Sequence, residues 1–257
     1  MNDHAAHANS FGPAAATYER GRPPYPGEAL DWLLAPAGSA SGPPRDAGER
    51  PERPAPRVLD LGAGTGKLTR QLVERGLEVI AVDPSDGMRG ELGRVLPGTP
   101  ALAGTAEGIP LPDHSVDLVL VAQAWHWVDP ARAVPEVARV LSPGGRLGLI
   151  WNLRDEREDW VRRLGELMNS PETNRATTIG PPFGPVEVRE FPWTHRIGRE
   201  QVFDLVASRS AAILLPADDR AALLDRVRDL LDTHPDLAGR DQLELPYITE
   251  CARADLR

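Results

Sequence analysis

Three glycines at alternate positions follow the first strongly apolar run of the chain, and their spacing is typical of a turn that receives a ligand. The run 58–61 leads into Gly62, Gly64 and Gly66, and a helix-like segment begins at Lys67. Glycine has no Cβ, so such a turn can adopt positive φ and let a ligand contact the main chain. The start of the helix would present backbone N–H groups to a phosphate or a carboxylate.

A second acidic position strengthens this interpretation. Asp83 ends the next apolar run and lies 21 residues after Gly62 (83 − 62). At that distance a carboxylate can accept hydrogen bonds from both hydroxyls of an adenosine ribose. Pro84 follows, Ser85 is a plausible helix cap, and Met88 is expected near an adenine face.

The spacing separates three kinds of nucleotide site. A phosphate-binding P-loop requires glycine where Leu61 stands and a hydroxyl where Leu68 stands, so that motif is absent. A dinucleotide fold requires a third glycine where this chain has Lys67 in one register or Thr69 in the other. This second alternative is weakened and stays open.

The remaining pattern, two apolar residues followed by Asp-x-Gly-x-Gly-x-Gly and a later Asp83, resembles the class I S-adenosylmethionine-dependent methyltransferases. The resemblance implies an α/β fold with a Rossmann-like seven-stranded sheet, helices on both faces and S-adenosyl-L-methionine as cofactor. The cofactor-binding residues that it implies in the body of the chain are Asp60, Gly62, Ala63, Gly64, Gly66, Asp83, Pro84, Met88, Thr105, Ala106, Glu107 and Gln123.

One segment departs from the family pattern. Residues 104–113 resemble the loop that holds the adenine edge, but Thr105 stands where the commoner pattern has Asp. Recognition of the adenine amino group is then expected to pass to Glu107 or to backbone groups.

The leader at residues 11–26 resembles that of a small-molecule subgroup related to trans-aconitate methyltransferases. This resemblance implies that Tyr18, Arg22 and Tyr25 lie near the cofactor. Arg22 would pair with the methionine carboxylate or with a substrate acid, and a tyrosine would cover the sulfonium. An arm that only packs on the core is the alternative.

An aromatic loop at residues 122–130 follows the fourth predicted strand. Gln123 is expected to border the methionine moiety, and Trp125, His126 and Trp127 to line the acceptor pocket. His126 can act as a general base because its unperturbed pKa lies near neutrality. The alternative is a histidine that only fixes the loop through a hydrogen bond.

Composition favours a soluble enzyme. The 257 residues carry a net charge of −9, which argues against a general nucleic-acid surface. The single cysteine, Cys251, precludes an internal disulfide, and the chain has no apolar run long enough for a bilayer span or a signal segment. The histidines lack metal-ligand spacing. We therefore expect a cytoplasmic monomer or homodimer with no metal and no membrane partner.

The chain divides into a cofactor lid at 1–35, a flexible Pro/Gly-rich loop at 36–56 and a methyltransferase domain at 57–257. Alternating segments predict a parallel sheet with ligand sites at the carboxyl ends of its strands. Strands are predicted near 57–61, 78–82, 100–103, 116–122 and 145–151, with helices after the first, second and fourth and with final strands at 186–197 and 242–249.

The function expected from this pattern is methyl transfer to a small-molecule acceptor, with a carboxylate or hydroxyl oxygen as the nucleophile. Two alternatives remain open. The same pocket can catalyse a reaction without methyl transfer, such as a cyclisation, or the protein can bind S-adenosylmethionine without turnover. A non-catalytic protein is expected to have a damaged cofactor motif, whereas Asp60, the three glycines and Asp83 are all present.

Overall fold

The computed structural model describes Glu19 and residues 21–36, 55–168 and 179–257. Most of the predicted flexible loop and part of the predicted lid, including Tyr18, lie outside these residues. The proposed division at residues 35 and 56 therefore stays a prediction.

One seven-stranded sheet organises the described part of the chain. Its order is β3-β2-β1-β4-β5-β7-β6, with β1 to β5 parallel and β7 antiparallel to both of its neighbours. The strands are β1 Arg57–Leu61, β2 Glu78–Asp83, β3 Ala101–Ala103, β4 Val116–Ala122, β5 Leu141–Arg154, β6 Glu187–Gly198 and β7 Gln242–Asp255.

Helices cover both faces of this sheet. They are α1 Gly27–Leu34, α2 Lys67–Val73, α3 Asp86–Val95, α4 Pro130–Val140, α5 Asp159–Leu167, α6 Arg199–Ala207, α7 Ser210–Ile213 and α8 Ala217–Thr233, and a short 3-10 helix spans Trp125–Trp127.

The strand β1 shows why the sheet is buried on both sides. Its apolar run has no polar alternation, as expected for a central parallel strand covered on both faces. Val58 packs with residues of α1 and α2 such as Leu30 and Leu72, whereas Leu59 packs in the cluster that contains Val137 of α4. The carboxyl end of β1 is thus held in place from both faces, and the glycine turn begins there.

A further apolar cluster lies at the β6 and β7 end of the sheet. Residues from α5, α6 and α8, such as Val161, Val202 and Val227, pack there with Leu245 of β7. This layer brings the connection after α6 to the same edge of the sheet as the glycine turn.

The predicted seven-stranded sheet with helices on both faces is confirmed, but two details differ from the sequence interpretation. Strand β5 begins at Leu141 and not near its predicted start at 145, and a bulge separates its first pair with β4, Val116 with Leu141, from the next pair, Leu118 with Arg146. Strand β7 continues past its predicted end at 249 to Asp255, because it is paired with β5 on one side and with β6 on the other.

Within the described ranges, every helix is too short or too polar to cross a bilayer. In the same part of the chain, no group of three or more His, Cys, Asp or Glu side chains is placed to hold a metal ion.

Candidate cofactor and acceptor site

The glycine turn adopts the backbone conformation that its sequence predicts. Gly62, Gly64 and Gly66 have φ angles of +74°, +56° and +89°. The N–H groups of Gly62 and Ala63 both donate to the carbonyl oxygen of Val82, at 2.8 and 3.1 Å. The turn is therefore tied to the end of β2 and cannot move independently of it.

The three glycines have different surroundings. A Cβ on Gly62 would lie 2.8 Å from the Ala124 Cβ, and one on Gly66 would lie 3.0 Å from the Leu92 Cγ. A Cβ on Gly64 would meet nothing within 4 Å. Gly62 and Gly66 thus allow close packing of the protein, whereas Gly64 opens toward free space.

Asp83 joins the turn to the start of α3. Its Oδ2 accepts from the Gly64 N–H and its Oδ1 accepts from the Ser85 N–H, both at 2.8 Å. Burial raises the pKa of this carboxyl above its ordinary value, while the two backbone N–H groups and Arg89 oppose the rise. Each oxygen keeps a lone pair for a second donor, which is what two ribose hydroxyls require.

Asp60 lies behind the turn and is fully buried. Its Oδ2 accepts from the Thr69 hydroxyl at 2.5 Å, and its Oδ1 has no hydrogen-bond partner among the described residues. Burial is the main cause that raises the pKa of Asp60 to about 7, with a smaller contribution from the negative charge of Asp83.

An open cleft lies at the carboxyl ends of β1, β4 and β5. Five of the predicted cofactor residues line it: Arg22, Gly62, Ala63, Gly64 and Gln123. The other lining residues are Pro23, Tyr25, Thr65, Lys67, Leu68, Ala122, Asn152, Arg209 and Tyr247.

The remaining predicted cofactor residues lie outside that lining. Asp60 and Gly66 support the turn from behind, and Asp83, Pro84 and Met88 follow one another from the end of β2 into α3. Thr105 is exposed and Ala106 is buried. Among them, Asp83 contacts the glycine turn directly, through the Gly64 N–H, and the predicted residues do not all lie in one cavity.

Glu107 has a different environment from the one expected for adenine recognition. Its Oε1 accepts from the backbone N–H of Asp129, the cap residue of α4, at 2.9 Å. The side chain thus connects the loop after β3 to the start of α4.

The N-terminal segment is anchored directly on the turn and on α2. The Glu19 carboxylate accepts from the Thr65 hydroxyl at 2.7 Å and from Arg70 at 3.0 Å, and it lies 3.5 Å from the Lys67 Nζ. Six residues later, the backbone of Tyr25 is bound in both directions by the Gln71 side chain, at 2.8 and 2.9 Å.

Gln123 marks the opposite wall of the cleft. It is a non-glycine residue with positive φ, +57°, and such conformations are concentrated at functional sites. Its backbone N–H donates to the Ile150 carbonyl and its Nε2 donates to the Asn152 carbonyl, at 2.9 and 3.1 Å. Asn152 in turn donates from Nδ2 to the Pro24 carbonyl, so one network holds Gln123, β5 and the N-terminal segment together.

Of the aromatic-loop residues, Gln123 lines the cleft, whereas Trp125, His126 and Trp127, which were predicted to line the acceptor pocket, are not in its lining. Trp125 is fully buried in the core, so it does not line an acceptor pocket, whereas His126 and Trp127 are exposed with their rings 4.8 Å apart. The pKa of the His126 imidazole lies below its ordinary value, chiefly because neighbouring atoms displace water and secondarily because the Arg22 guanidinium disfavours a second positive charge. Arg22 therefore acts electrostatically on both the cleft and His126.

Comparison with known proteins agrees with the fold and the turn. Residues 59–149 match the methyltransferase domain family. A protein from Mycobacterium tuberculosis that carries the name uncharacterized methyltransferase is 57% identical over 250 residues, which cover 96% of each chain. The chain belongs to the methyltransferase family. Its predicted enzyme class, an S-adenosylmethionine-dependent methyltransferase, is confirmed.

Two more distant matches extend along nearly all of the methyltransferase. An uncharacterized methyltransferase-like protein from Schizosaccharomyces pombe is 31% identical over 93% of each chain. A solved structure from Anaeromyxobacter dehalogenans, assigned to the type II methyltransferases, is similar with a TM-score of 0.65 and 26% identity, covering 92% of this chain and 97% of that one.

Among the cleft residues of the methyltransferase that sequence reasoning missed, three lie far along the chain from the predicted motifs: Asn152, Arg209 and Tyr247. Asn152 directly follows the predicted fifth strand, so the rule that ligands bind at carboxyl ends of strands was the signal for it. Tyr247 lies within β7, where its ring stacks on Trp193 at 5.4 Å, and Arg209 lies in the connection between α6 and α7. No local motif marks either of these two residues, because both reach the cleft only through the packing of the second layer.

Proposed function

We propose that this methyltransferase binds S-adenosylmethionine along the glycine turn and transfers the methyl group to an oxygen of a small-molecule acceptor. The observation that carries the proposal is the link between Gly64 and Asp83, in which an open, positive-φ glycine donates its N–H to the acid that ends β2. When bound, S-adenosylmethionine supplies a methyl group on positively charged sulfur for in-line transfer to a nucleophile.

Different residues around the turn bind different parts of the cofactor. Asp83 accepts the ribose hydroxyls with its remaining lone pairs. Pro84, Met88, Thr105 and Ala106 enclose the adenine side, for which the loop at residues 104–113 provides backbone groups.

The methionine moiety of the cofactor faces the cleft. Gly62, Ala63 and Gly64 present the main chain, Gln123 borders this end of the cofactor from the opposite wall, and Arg22 contributes a positive charge. Asp60 acts from behind the turn, since the buried carboxyl shapes the backbone through Thr69 and favours a cationic ligand when it is ionised.

His126 has a role that depends on the acceptor. For a hydroxyl acceptor the neutral imidazole takes the proton that the oxygen loses, and its lowered pKa keeps that neutral form abundant at neutral pH. A carboxylate acceptor is already ionised, so there His126 only orients it. The similarity of residues 11–26 to the leader of the trans-aconitate methyltransferase subgroup supports a carboxylate.

Two glycine variants test cofactor binding. Gly64 and Gly76 both have positive φ, +56° and +75°, and open space where a Cβ would point, but only Gly64 lines the cleft. Gly64→Ala and Gly76→Ala should therefore lose similar stability, about 1 kcal/mol each. We expect calorimetry to show at least tenfold weaker binding of S-adenosylmethionine and S-adenosylhomocysteine to Gly64→Ala and unchanged binding to Gly76→Ala.

The outcome also separates the alternatives. Equal affinity in the two variants would contradict the placement of the cofactor on the turn, and selective NAD binding would favour a dehydrogenase. Mass spectrometry of acceptor mixtures then tests turnover: methyl transfer adds one methyl group and releases S-adenosylhomocysteine, whereas cyclisation leaves the cofactor intact.

A further inference from the structure

The cleft has a charge opposite to that of the whole protein. The chain carries a net charge of −9. The described residues that line the cleft nevertheless include three cations, Arg22, Lys67 and Arg209, and no acid. Because charged residues on clefts with low-dielectric walls focus the field, this arrangement favours an anionic ligand.

Two of these cations belong to one corner of the cleft. The Arg22 Nη2 donates to the backbone carbonyl of Ser208 at 3.4 Å, and Arg209 is the next residue in the chain. Like charges that share a partly desolvated site raise its free energy, and a bound anion lowers it. The Lys67 Nζ lies 3.5 Å from the Glu19 carboxylate, so we assign Lys67 no direct part in binding an anion.

The positive field of the cleft extends to two histidines on different elements. The pKa of His126 is lowered because neighbouring atoms displace water and secondarily by Arg22, and the pKa of His195 on β6 is lowered by the same loss of hydration and secondarily by Lys67. The cations of the cleft thus act on titratable groups beyond its lining, which agrees with the positive charge of the lining itself.

Arg209 lines the cleft but belongs to a part of the chain beyond the family match. It lies outside residues 59–149, which match the methyltransferase domain family, and comes from the connection between α6 and α7. Tyr247, which also lines the cleft, lies outside that region too, and its ring is supported by Trp193 at 5.4 Å. A guanidinium can hold a planar oxyanion in a defined orientation through two parallel hydrogen bonds.

We propose that the acceptor is a small organic oxyanion, and that Arg209 binds its acidic group while Arg22 supplies a second positive charge beside it. This inference rests on the proposed function, because the acceptor must occupy the cleft next to the cofactor. Carboxylates and phosphate monoesters share the required chemistry, since both accept two hydrogen bonds from one guanidinium.

The test is calorimetry on the full chain, first with S-adenosylhomocysteine and then with probe acids added to the saturated protein. The probes are citrate, phthalate and phenyl phosphate, and phthalamide is the uncharged counterpart of phthalate. We expect saturable binding of at least one acid and none of phthalamide. The relative affinities of phthalate and phenyl phosphate then distinguish a carboxylate site from a phosphate site.

Three variants assign the effect to Arg209. Arg209→Gln should weaken acid binding at least tenfold, since it removes a charge-assisted pair of hydrogen bonds. Arg209→Lys should give an intermediate value, because it keeps the charge but loses the planar fork. Arg220→Gln removes an exposed arginine of α8 that does not line the cleft, and it should leave acid binding unchanged.

Binding of S-adenosylhomocysteine keeps the two proposals separate. If no probe acid binds to the saturated protein, or if Arg209→Gln binds the acids as tightly as the parent protein, the anionic acceptor site at Arg209 is wrong while the cofactor assignment stands. If S-adenosylhomocysteine itself does not bind, the proposed function fails. Unchanged S-adenosylhomocysteine affinity in Arg209→Gln shows that its cofactor site is still folded.

Discussion

The three glycines of the turn have different structural roles although they are the same residue type. Gly62 and Gly66 are needed because neighbouring side chains leave no room for a Cβ, whereas Gly64 leaves the turn open where a ligand would approach. Asp83 connects these functions, since the carboxylate that is expected to bind the ribose also fixes the Gly64 N–H. The cofactor site is therefore partly formed before any ligand arrives.

His126 is the residue whose role a pH profile can decide. If it is the general base, His126→Gln should lower turnover of a hydroxyl acceptor on the order of 10²-fold or more and should leave turnover of a carboxylate acceptor nearly unchanged. In the parent enzyme, kcat/KM for the hydroxyl acceptor should rise with pH and level off. Because the His126 pKa is lowered, the midpoint should lie below 6.5, the ordinary value.

The carboxylate acceptor serves as the internal control, since it needs no proton removal. Full turnover of the hydroxyl acceptor by His126→Gln, with the same pH midpoint as the parent enzyme, would show that His126 only shapes the loop.

Among the elements, the N-terminal segment has the most unusual position. It passes between α2 and α6, and a Cβ on Gly21 would lie 2.5 Å from the backbone carbonyl oxygen of Asp204 in α6. The same segment reaches the cofactor turn through Glu19 and Thr65. Its docking on α6 is thus coupled physically to the cofactor side of the cleft.

Gly21→Ala tests this coupling. The added methyl group cannot be accommodated without moving the segment or α6, so we expect a loss of about 1–3 kcal/mol in the free energy of unfolding and weaker binding of S-adenosylhomocysteine. Urea unfolding and calorimetry measure the two effects.

Gly27→Ala is the matched control, because its Cβ would make only an ordinary contact of 3.4 Å at the start of α1. A Gly21→Ala protein that is as stable as Gly27→Ala and binds the ligand equally well would show that the contact with α6 is loose.

The free energy of unfolding of the whole protein should depend on pH because of Asp60. This buried acid has its pKa raised to about 7, whereas an unfolded chain releases the proton near pH 4. Between these values the folded state holds a proton that the unfolded state has lost. The free energy of unfolding must therefore fall as pH rises from about 4 to about 7, by up to about 4 kcal/mol from this group.

Asp60→Asn should remove this dependence, because the amide cannot ionise. The stability of the variant relative to the parent protein should increase between pH 5 and pH 8, as measured by urea unfolding at both pH values. Asp86→Asn changes an exposed acid of α3 and should give the same difference from the parent protein at both values. Parallel stability curves for Asp60→Asn and the parent protein would contradict the raised pKa.

The approximate positions of the first five strands along the chain, the glycine turn and the position of Asp83 were all predictable from sequence. Each depends on a short contiguous pattern: an apolar run long enough for a buried strand, or glycines at positions where the backbone must adopt positive φ. The end of β7 was not predictable in this way, because its length depends on pairing with β5 and β6.

The sequence by itself thus determined the fold class, the enzyme class and the element that carries the cofactor turn, since these follow from local backbone chemistry and from a motif that is continuous in the chain. Only the tertiary structure decided that Trp125 is core, that Asn152 binds the N-terminal segment, and that Arg22, Arg209 and Tyr247 line one cleft. The physical reason is that these contacts join residues distant in the chain, and side-chain direction there is set by strand register and helix packing.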